Sequence, residues 1–275
     1  MKAFAALQSF AFLQSFTNIN RCSPSMRSCP PGATMTESFG NATKEPIFTK
    51  DGATACSTGS EDTASTDSDP PALISRILPP LPVGSRRIYL VRHGETNWNL
   101  LGKIQGGGYD IPLNDNGRQQ ALATALALED IPLGAVVSSH LSRAKETADI
   151  LCSRHNAMVQ DRRVVLDGLG EMRFGEFEGL AWRDQELNPE LGERFKSISR
   201  ELKRDMDKSF PGGGESTRDV QVRSTAALEK VLKDYPNEQH IAIVSHGRTN
   251  KVLIAATALG DVTQYSGVKQ GSKLI

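Results

Sequence analysis

The chain has 275 residues, and its 32 lysines and arginines are balanced by 32 aspartates and glutamates. This balance excludes a global charge that would attract nucleic acid or an anionic membrane. No apolar run approaches the ~20 residues that a bilayer-spanning helix needs. We therefore expect a soluble protein with neither a nucleic-acid nor a membrane partner, and with one sizeable domain rather than two small ones.

The four cysteines give no sign of a metal site or a disulfide framework. They form no CxxC pair, and three of them lie in the N-terminal third of the chain: Cys22, Cys29, Cys56 and Cys152. We interpret all four as unpaired reduced thiols.

Residues 1–84 are predicted to form a disordered leader and linker. Serine and threonine are frequent, the first acidic residue is Glu37, and Lys2, Arg21 and Arg27 are basic. This pattern fits an organelle transit peptide, plastid or mitochondrial, or a weak signal peptide, and it fits a merely disordered tail equally well. Location therefore stays open between cytoplasm and organelle. Residues 50–82 have too few large apolar groups to offset the entropy of ordering.

The regular elements start near Arg86. Residues 88–91 are short, apolar and β-prone, as in a buried parallel strand. Residues 114–117 supply turn and cap chemistry before an Ala/Leu-rich helix at 118–129. A second strand is predicted at 135–138.

Further helices and strands alternate toward the C-terminus. Ser142 is predicted to cap a helix at 143–154, and residues 164–166 form a third strand. Residues 190–208 are predicted to form a helix in a cap over the site, because apolar residues recur at helical spacing. That helix ends at the Pro-Gly-Gly-Gly run 211–214.

A last helix and strand complete the pattern. Ser216 is predicted to begin a helix that runs to about Lys233, and residues 241–244 return to the sheet. The alternation predicts an α/β protein, a three-layer α/β/α sandwich with a mostly parallel central sheet. Residues 85–275 would form this domain.

Two of the predicted strands end at a histidine. Arg92-His93-Gly94 follows residues 88–91, and Ser245-His246-Gly247 follows residues 241–244. Ligands of open α/β sheets bind at the carboxyl ends of strands. We therefore expect both histidines at a ligand site.

The stretch Arg92-His93-Gly94-Glu95-Thr96, with Asn99, resembles the signature of the histidine phosphatase superfamily, the phosphoglycerate-mutase-like proteins. Further landmarks follow in the order of that family: residues 138–148 with Arg143, residues 169–179 with Glu171, and Ser245-His246-Gly247. The resemblance covers about residues 86–260. It implies a phosphoglycerate mutase-like fold and, for this chain, the phosphatase branch. The family continues into a further strand where this chain stops, so we expect a C-terminus that is truncated.

His93 is the predicted nucleophile. An imidazole with an ordinary pKa of ~6.5 is neutral near physiological pH, and attack on phosphorus divides one hard displacement into two easier ones. A core histidine is the alternative, and Arg92 beside His93 disfavours it. The other three histidines, His140, His155 and His240, are interpreted as structural.

Cationic and neutral donors are predicted around the transferred phosphoryl group. Arg92 and Arg143 each offer a planar fork that matches two phosphate oxygens, and His246 would complete the clamp. The resemblance adds three residues on the substrate side: Asn99, Gln105 and Gly247. The spacing after Gln105 departs slightly from that of the family.

Glu171 is the candidate general acid and base. The leaving alcohol needs a proton, and the water that later cleaves phosphohistidine must lose one. A nearby phosphate dianion and partial burial favour a proton on this carboxyl group. The competing carboxylates Glu95, Glu176 and Glu178 are interpreted as loop-ordering residues.

The leading interpretation is a metal-independent phosphomonoesterase without a cofactor. No nucleotide-binding glycine motif is present, and the mechanism needs no metal. A phosphoglycerate-type mutase would use the same residues, but the compact stretch between Glu171 and His246 favours the phosphatase. A non-catalytic phosphate-binding or interaction module is the third interpretation. The substrate would be a small phosphorylated molecule of unknown identity, and the oligomeric state stays open.

Overall fold

The structure is a computed structural model that describes residues 9–14, 74–181 and 189–269, all of which fall in one compact unit. Most of the predicted leader, including Cys22, Cys29 and Cys56, lies outside the described residues. Cys152 is buried and unpaired, and burial raises the pKa of its thiol to about 11. No helix in the described ranges has the length and hydrophobicity of a bilayer span.

The sheet is parallel throughout. Its strands pair in the order β1-β2-β5-β3-β4. Their bounds are β1 Ser9–Gln14, β2 Arg87–Arg92, β3 Ala135–Ser138, β4 Arg163–Val165 and β5 His240–Ser245. The prediction of a mostly parallel central sheet is confirmed.

Seven α-helices and four short 3₁₀ turns connect and cover the described strands. The helices are α1 Asn97–Leu100, α2 Asp115–Ala127, α3 Ser142–Cys152, α4 Ala157–Asp161, α5 Pro189–Glu201, α6 Thr217–Asp234 and α7 Gly247–Thr257. The 3₁₀ turns are Ile74–Arg76, Asp167–Leu169, Gly175–Phe177 and Val262–Gly267. Asn114 caps α2 by accepting the Gly117 N–H at 2.7 Å, and Ser216 caps α6 in a capping box with Asp219. Both starts agree with the sequence pattern.

Helices cover both faces of the sheet. Along β2, Tyr89 and Val91 belong to the core cluster that includes α2 and α3, whereas Ile88 and Leu90 belong to the cluster that includes α6 and α7. All four are fully buried. Parallel strands buried on both faces are continuously apolar for this reason. The three-layer α/β/α sandwich is confirmed.

A third core cluster anchors α5 beside the carboxyl ends of the strands. It is aromatic: the rings of Phe195 and Phe210 stack with centroids 5.5 Å apart, and Phe177 meets Phe195 edge-on at 5.2 Å. Aromatic pairs in these geometries stabilise beyond the area they bury. Lys203, just after α5, reaches the cleft described below, as expected for part of a cap.

Two local predictions were wrong. Ser142 is the first residue of α3 rather than its cap, and its N–H and hydroxyl donate to Asp110, at 2.6 and 2.7 Å. The helix predicted to reach residue 208 ends at Glu201. Beyond it the Asp205 carboxylate accepts the Asp207 N–H at 3.0 Å, and such short-range bonds compete with helix.

The compact unit also begins before residue 85. Ile74 is fully buried in the cluster that contains Leu128 and Ile131, and the Ser75 hydroxyl donates to Asp130. Strand β1 pairs in parallel with the outer edge of β2. These two parts of the predicted leader belong to the same compact unit, in which they bury an apolar side chain and satisfy the backbone groups of a sheet edge.

Candidate functional site

The register of β2 and β5 brings His93 and His246 together. Arg92 lies opposite Ser245, so each histidine is the first residue beyond its strand. The centroids of the two rings lie 5.0 Å apart, and the main-chain N–H of His93 donates to the Ser245 carbonyl at 3.1 Å. Both side chains are buried. We call His93, His246, Arg143 and Glu171 the histidine edge.

The His93 ring is held as a neutral imidazole. Its Nδ1 lies 2.7 Å from the Gly94 carbonyl, which can only accept, so Nδ1 carries the proton and Nε2 keeps a lone pair. Burial lowers the pKa of His93 well below its usual range, and the positive charges of Arg143 and Arg92 act in the same direction. The free lone pair is what a nucleophile requires.

Close backbone contacts fix the turn after His93. A Cβ atom on Gly94 would lie 2.2 Å from the Gly117 carbonyl oxygen, and one on Gly117 would lie 2.0 Å from the Glu95 carbonyl oxygen. The Gly94 N–H donates to the Thr147 hydroxyl at 3.1 Å. Glu95 orders the loop, because its carboxylate accepts hydrogen bonds from the side-chain amides of Asn114 and Asn116.

Ser139 contacts the ring of His246. The Ser139 hydroxyl oxygen accepts the Leu141 N–H at 3.2 Å and lies 2.8 Å from His246 Nε2. The other ring nitrogen, Nδ1, is buried without a partner among the described residues. Burial, followed by the charge of Arg143, lowers the pKa of His246 well below its usual range.

The two predicted arginines are positioned differently. Arg143 is 1% exposed; its Nη1 donates to the Tyr109 carbonyl at 2.9 Å and its Nη2 to the Gly106 carbonyl at 2.8 Å, while Nε is buried without a partner among the described residues. Arg92 is half-buried and lines the cleft. Burial lowers the pKa of each guanidinium, and the Glu171 carboxylate opposes that shift.

Glu171 sits at the N-terminus of α7. Its Oε1 accepts the Met172 N–H at 2.9 Å and the Thr249 N–H at 3.2 Å, and its Oε2 accepts the Arg248 N–H at 3.2 Å. The first N–H groups of a helix lack partners within it and favour negative charge. Backbone donors that the sequence did not predict therefore hold Glu171.

An ion pair supports the loop that carries Glu171. Arg223 donates from Nε and Nη2 to the Glu215 carboxylate, at 2.8 and 3.1 Å, and from Nη1 to the carbonyls of Gly168 and Gly170, at 2.9 and 2.7 Å. Its Nη2 also donates to the Glu171 carbonyl at 3.1 Å. No pattern in the sequence indicated this pair, because its two members act on a third segment distant in the chain.

The residues expected on the substrate side occupy three places. Asn99 uses its side-chain oxygen to close the capping box of α1 with Thr96. Gln105 is buried, and its Oε1 has no partner among the described residues. Gly247 is the first residue of α7 and lines the cleft.

The residues interpreted as structural contact partners other than His93 and His246. Of the two carboxylates, Glu176 pairs with Arg194 at 2.7 Å, and Glu178 accepts the N–H groups of Phe174 and Gly108. Of the histidines, His140 lies 3.5 Å from Asp167, and His240 Nδ1 lies 2.8 Å from the Tyr89 hydroxyl. His155 precedes Asn156, the cap of α4.

A cleft of about 410 Å³ opens beside Arg92, Glu171 and Gly247. The remaining lining residues are ones that no sequence motif singled out by themselves, although Lys203 falls in the predicted cap: Phe174, Lys203, Arg248, Lys251, Tyr265 and Ser266. Arg248 and Lys251 stand three residues apart on α7, so they face the same side. In the sequence, two basic residues at this spacing directly after Ser245-His246-Gly247 were the available signal for a basic side of the cleft.

Comparison with known proteins places this geometry in a family. The model of the histidine phosphatase superfamily (branch 1) matches residues 88–271. A metal-independent phosphoserine phosphatase of Arabidopsis thaliana is 38% identical over 163 residues, covering 58% of this chain and 63% of the relative. An uncharacterized phosphatase of Bacillus subtilis is 33% identical over 174 residues, covering 63% and 78%. The chain thus spans less than two thirds of the plant relative.

Solved structures are similar over about the same part of the chain. A mycobacterial glucosyl-3-phosphoglycerate phosphatase in complex with VO₃ has a TM-score of 0.56 at 27% identity, covering 66% of this chain and 84% of that one. A phosphoserine phosphatase of Entamoeba histolytica has a TM-score of 0.54 at 31% identity, covering 67% and 85%.

Proposed function

Because the chain belongs to the histidine phosphatase superfamily (branch 1), we propose that it hydrolyses a phosphomonoester through a phosphohistidine formed on His93. The carrying observation is the neutral, buried imidazole whose Nδ1–H is fixed by the Gly94 carbonyl beside two arginines. The relatives named as phosphatases support the reaction class.

The first half-reaction transfers the phosphoryl group to the enzyme. His93 Nε2 attacks phosphorus, the ester P–O bond breaks, and Glu171 gives a proton to the leaving oxygen. Charge accumulates on the equatorial oxygens of the phosphoryl group. The donors offered to these oxygens are Arg92, the Arg143 Nε–H and the His246 ring. The phosphate dianion favours a proton on Glu171 before transfer.

The second half-reaction restores the enzyme. A water molecule loses a proton to Glu171 as its oxygen attacks the phosphohistidine, and the bond between phosphorus and Nε2 breaks. Inorganic phosphate leaves, and both His93 and Glu171 return to their starting protonation states. One carboxyl group thus serves as acid and then as base.

The test compares the full chain with its His93→Ala variant on an aryl phosphate, in the presence of a chelator. We expect phosphate release to fall by at least about 10³-fold in the variant, and a phosphoryl group on His93 to be found by mass spectrometry after acid-free quenching. Exposed His140→Ala serves as control and should retain turnover.

Two results would contradict the proposal. Undiminished turnover by a folded His93→Ala protein would exclude His93 as nucleophile. Phosphoryl transfer between a bisphosphoglycerate primer and phosphoglycerate, with no net phosphate release, would instead identify a mutase.

A further inference from the structure

The side chain of Thr147 joins the turn after His93 to the helix that carries Arg143. Thr147 lies on α3, four residues after Arg143, and is fully buried. Its hydroxyl donates to the Arg143 carbonyl at 2.7 Å and accepts the Gly94 N–H at 3.1 Å. One hydroxyl group thus links the backbones of two segments of the histidine edge.

The bond to Gly94 fixes the backbone directly beside His93. The Gly94 N–H belongs to the peptide group that follows His93, and the Gly94 carbonyl, in the next peptide group, holds Nδ1 of the His93 ring. Gly94 is buried, so without the Thr147 hydroxyl its N–H would be a buried donor that has lost its acceptor. The turn would move to satisfy that donor, and the His93 ring would move with it.

The bond to the Arg143 carbonyl is ordinary when taken by itself. Threonine side chains within helices often donate to the carbonyl four residues before them. Thr124 on α2 does so as well: it is 1% exposed, and its hydroxyl donates to the Gln120 carbonyl at 3.0 Å. The second bond, to Gly94, is what distinguishes Thr147, and Thr124 is therefore its matched control.

The two linked residues have to act on the same phosphoryl group. The guanidinium of Arg143 is fixed by the Tyr109 and Gly106 carbonyls, so the distance from it to His93 depends on how the two segments are joined. We propose that Thr147 is a positioning residue for phosphoryl transfer, which holds the His93 turn in place against the helix of Arg143 without touching the substrate. This inference rests on the proposed function for the reaction that it supports.

The first test measures single-turnover phosphorylation of the full chain by an aryl phosphate. Thr147→Val replaces the hydroxyl by a methyl group, and we expect the phosphorylation rate at saturating substrate to fall by about 10–100-fold, because the nucleophile is misplaced. The substrate concentration that gives half of the maximal rate should change less. Thr147→Ser keeps the hydroxyl and should restore most of the rate. Thr124→Val loses the same bond along its helix and should retain the full rate.

Proton exchange at the His93 ring is a second readout, and it needs no turnover. NMR of the chain with isotope-labelled histidine follows the Nδ1–H that the Gly94 carbonyl holds, and the absence of its signal in His93→Ala assigns it. In Thr147→Val this proton should exchange with water about three- to tenfold faster, because one neutral hydrogen bond that restrains the turn is lost. Thr147→Ser and Thr124→Val should exchange at the rate of the unsubstituted chain.

The two readouts separate this inference from the proposed function. Faster ring exchange in Thr147→Val supports the positioning of His93 by Thr147 even if the unsubstituted chain forms no phosphohistidine, in which case the proposed function alone fails. An unaltered phosphorylation rate in Thr147→Val, or a slower rate with unaltered ring exchange, would overturn the inference and leave the proposed function standing. Equal losses of rate in Thr147→Ser and Thr147→Val would also overturn it. Should Thr147→Val fail to fold, Thr147→Ala and Thr124→Ala make the same comparison.

Discussion

The histidine edge and the three basic residues of the cleft, which we call the basic cluster (Lys203, Arg248 and Lys251), meet at one cleft but are held in place by different contacts. At the edge, main-chain groups fix the reacting side chains: a carbonyl orients His93, loop carbonyls hold Arg143, and helix N–H groups hold Glu171. In the cluster, rings and like charges surround Arg248 and Lys251, and solvent reaches both.

The two regions differ in how far they depend on neighbouring side chains. Main-chain hydrogen bonds are available at the edge whatever residues surround them, although the Glu171 loop also relies on Arg223. The contacts of Arg248 and Lys251 depend on the rings and charges of particular neighbours.

The largest expected effect sharpens the comparison at Glu171. Glu171→Gln keeps the size of the side chain but removes the proton donor, so single-turnover phosphorylation with an alkyl phosphate should slow by about 10²–10⁴-fold. An aryl phosphate should lose less, because its leaving group needs less protonation. Rapid-quench kinetics measure both, with surface Glu176→Gln as control. Equal losses on the two substrates would exclude Glu171 as the acid.

Arg223 should have an intermediate effect, although it touches no substrate. Arg223→Lys cannot serve the Glu215 carboxylate and the loop carbonyls together, so the Glu171 loop should loosen. We expect kcat to fall by about 10–100-fold with little change in KM, and the loss to be greater for alkyl than for aryl phosphates.

Arg218→Lys on the same helix is the control, since its ion pair with Asp207 is exposed. A loss of activity that is equal for both classes of leaving group would mean that Arg223 acts on general stability and does not position Glu171.

The smallest expected effect is on the pH dependence of stability, which tests whether burial keeps the two histidines neutral. Burial lowers the pKa of His93 and His246, so below pH ~6.5 the unfolded chain binds protons that the folded chain does not. Their contribution to stability is complete above that pH and is lost as pH falls toward the folded pKa, by up to about 1.4 kcal/mol per pH unit for each histidine. Urea unfolding between pH 5 and 8 measures the slope.

Replacing one of the two histidines should reduce that slope. His246→Gln is compared with His140→Gln, which changes an exposed ring. If the slope of unfolding free energy against pH is unchanged in His246→Gln, the fold does not hold the native His246 ring neutral. The edge would then differ less from the solvent-exposed basic cluster.

Sequence reasoning predicted the parts that local patterns determine. Apolar runs located β2 and β5, cap residues located α2 and α6, and the register then required His93 and His246 to meet. The proposed roles of these residues stay predictions until the variants are measured.

Contacts between distant segments were beyond that reasoning. Ser142 carries a capping residue type, but Asp110 from another loop satisfies the start of α3. The Arg223–Glu215 pair lies at the start of α6 but holds the distant loop that carries Glu171, and the Arg248–Tyr265 contact joins α7 to the 3₁₀ turn beyond it. No periodicity or motif encodes such contacts, because they depend on tertiary packing.

The contact between Gly94 and Gly117 has a mechanical consequence. With no room for a methyl group on either residue, the first turn of α2 rests directly on the backbone that follows His93. The position of the helix therefore determines the position of the histidine. A shift of α2 by the width of a methyl group would also shift His93, so the proposed attack on phosphorus depends on how firmly α2 packs against the sheet.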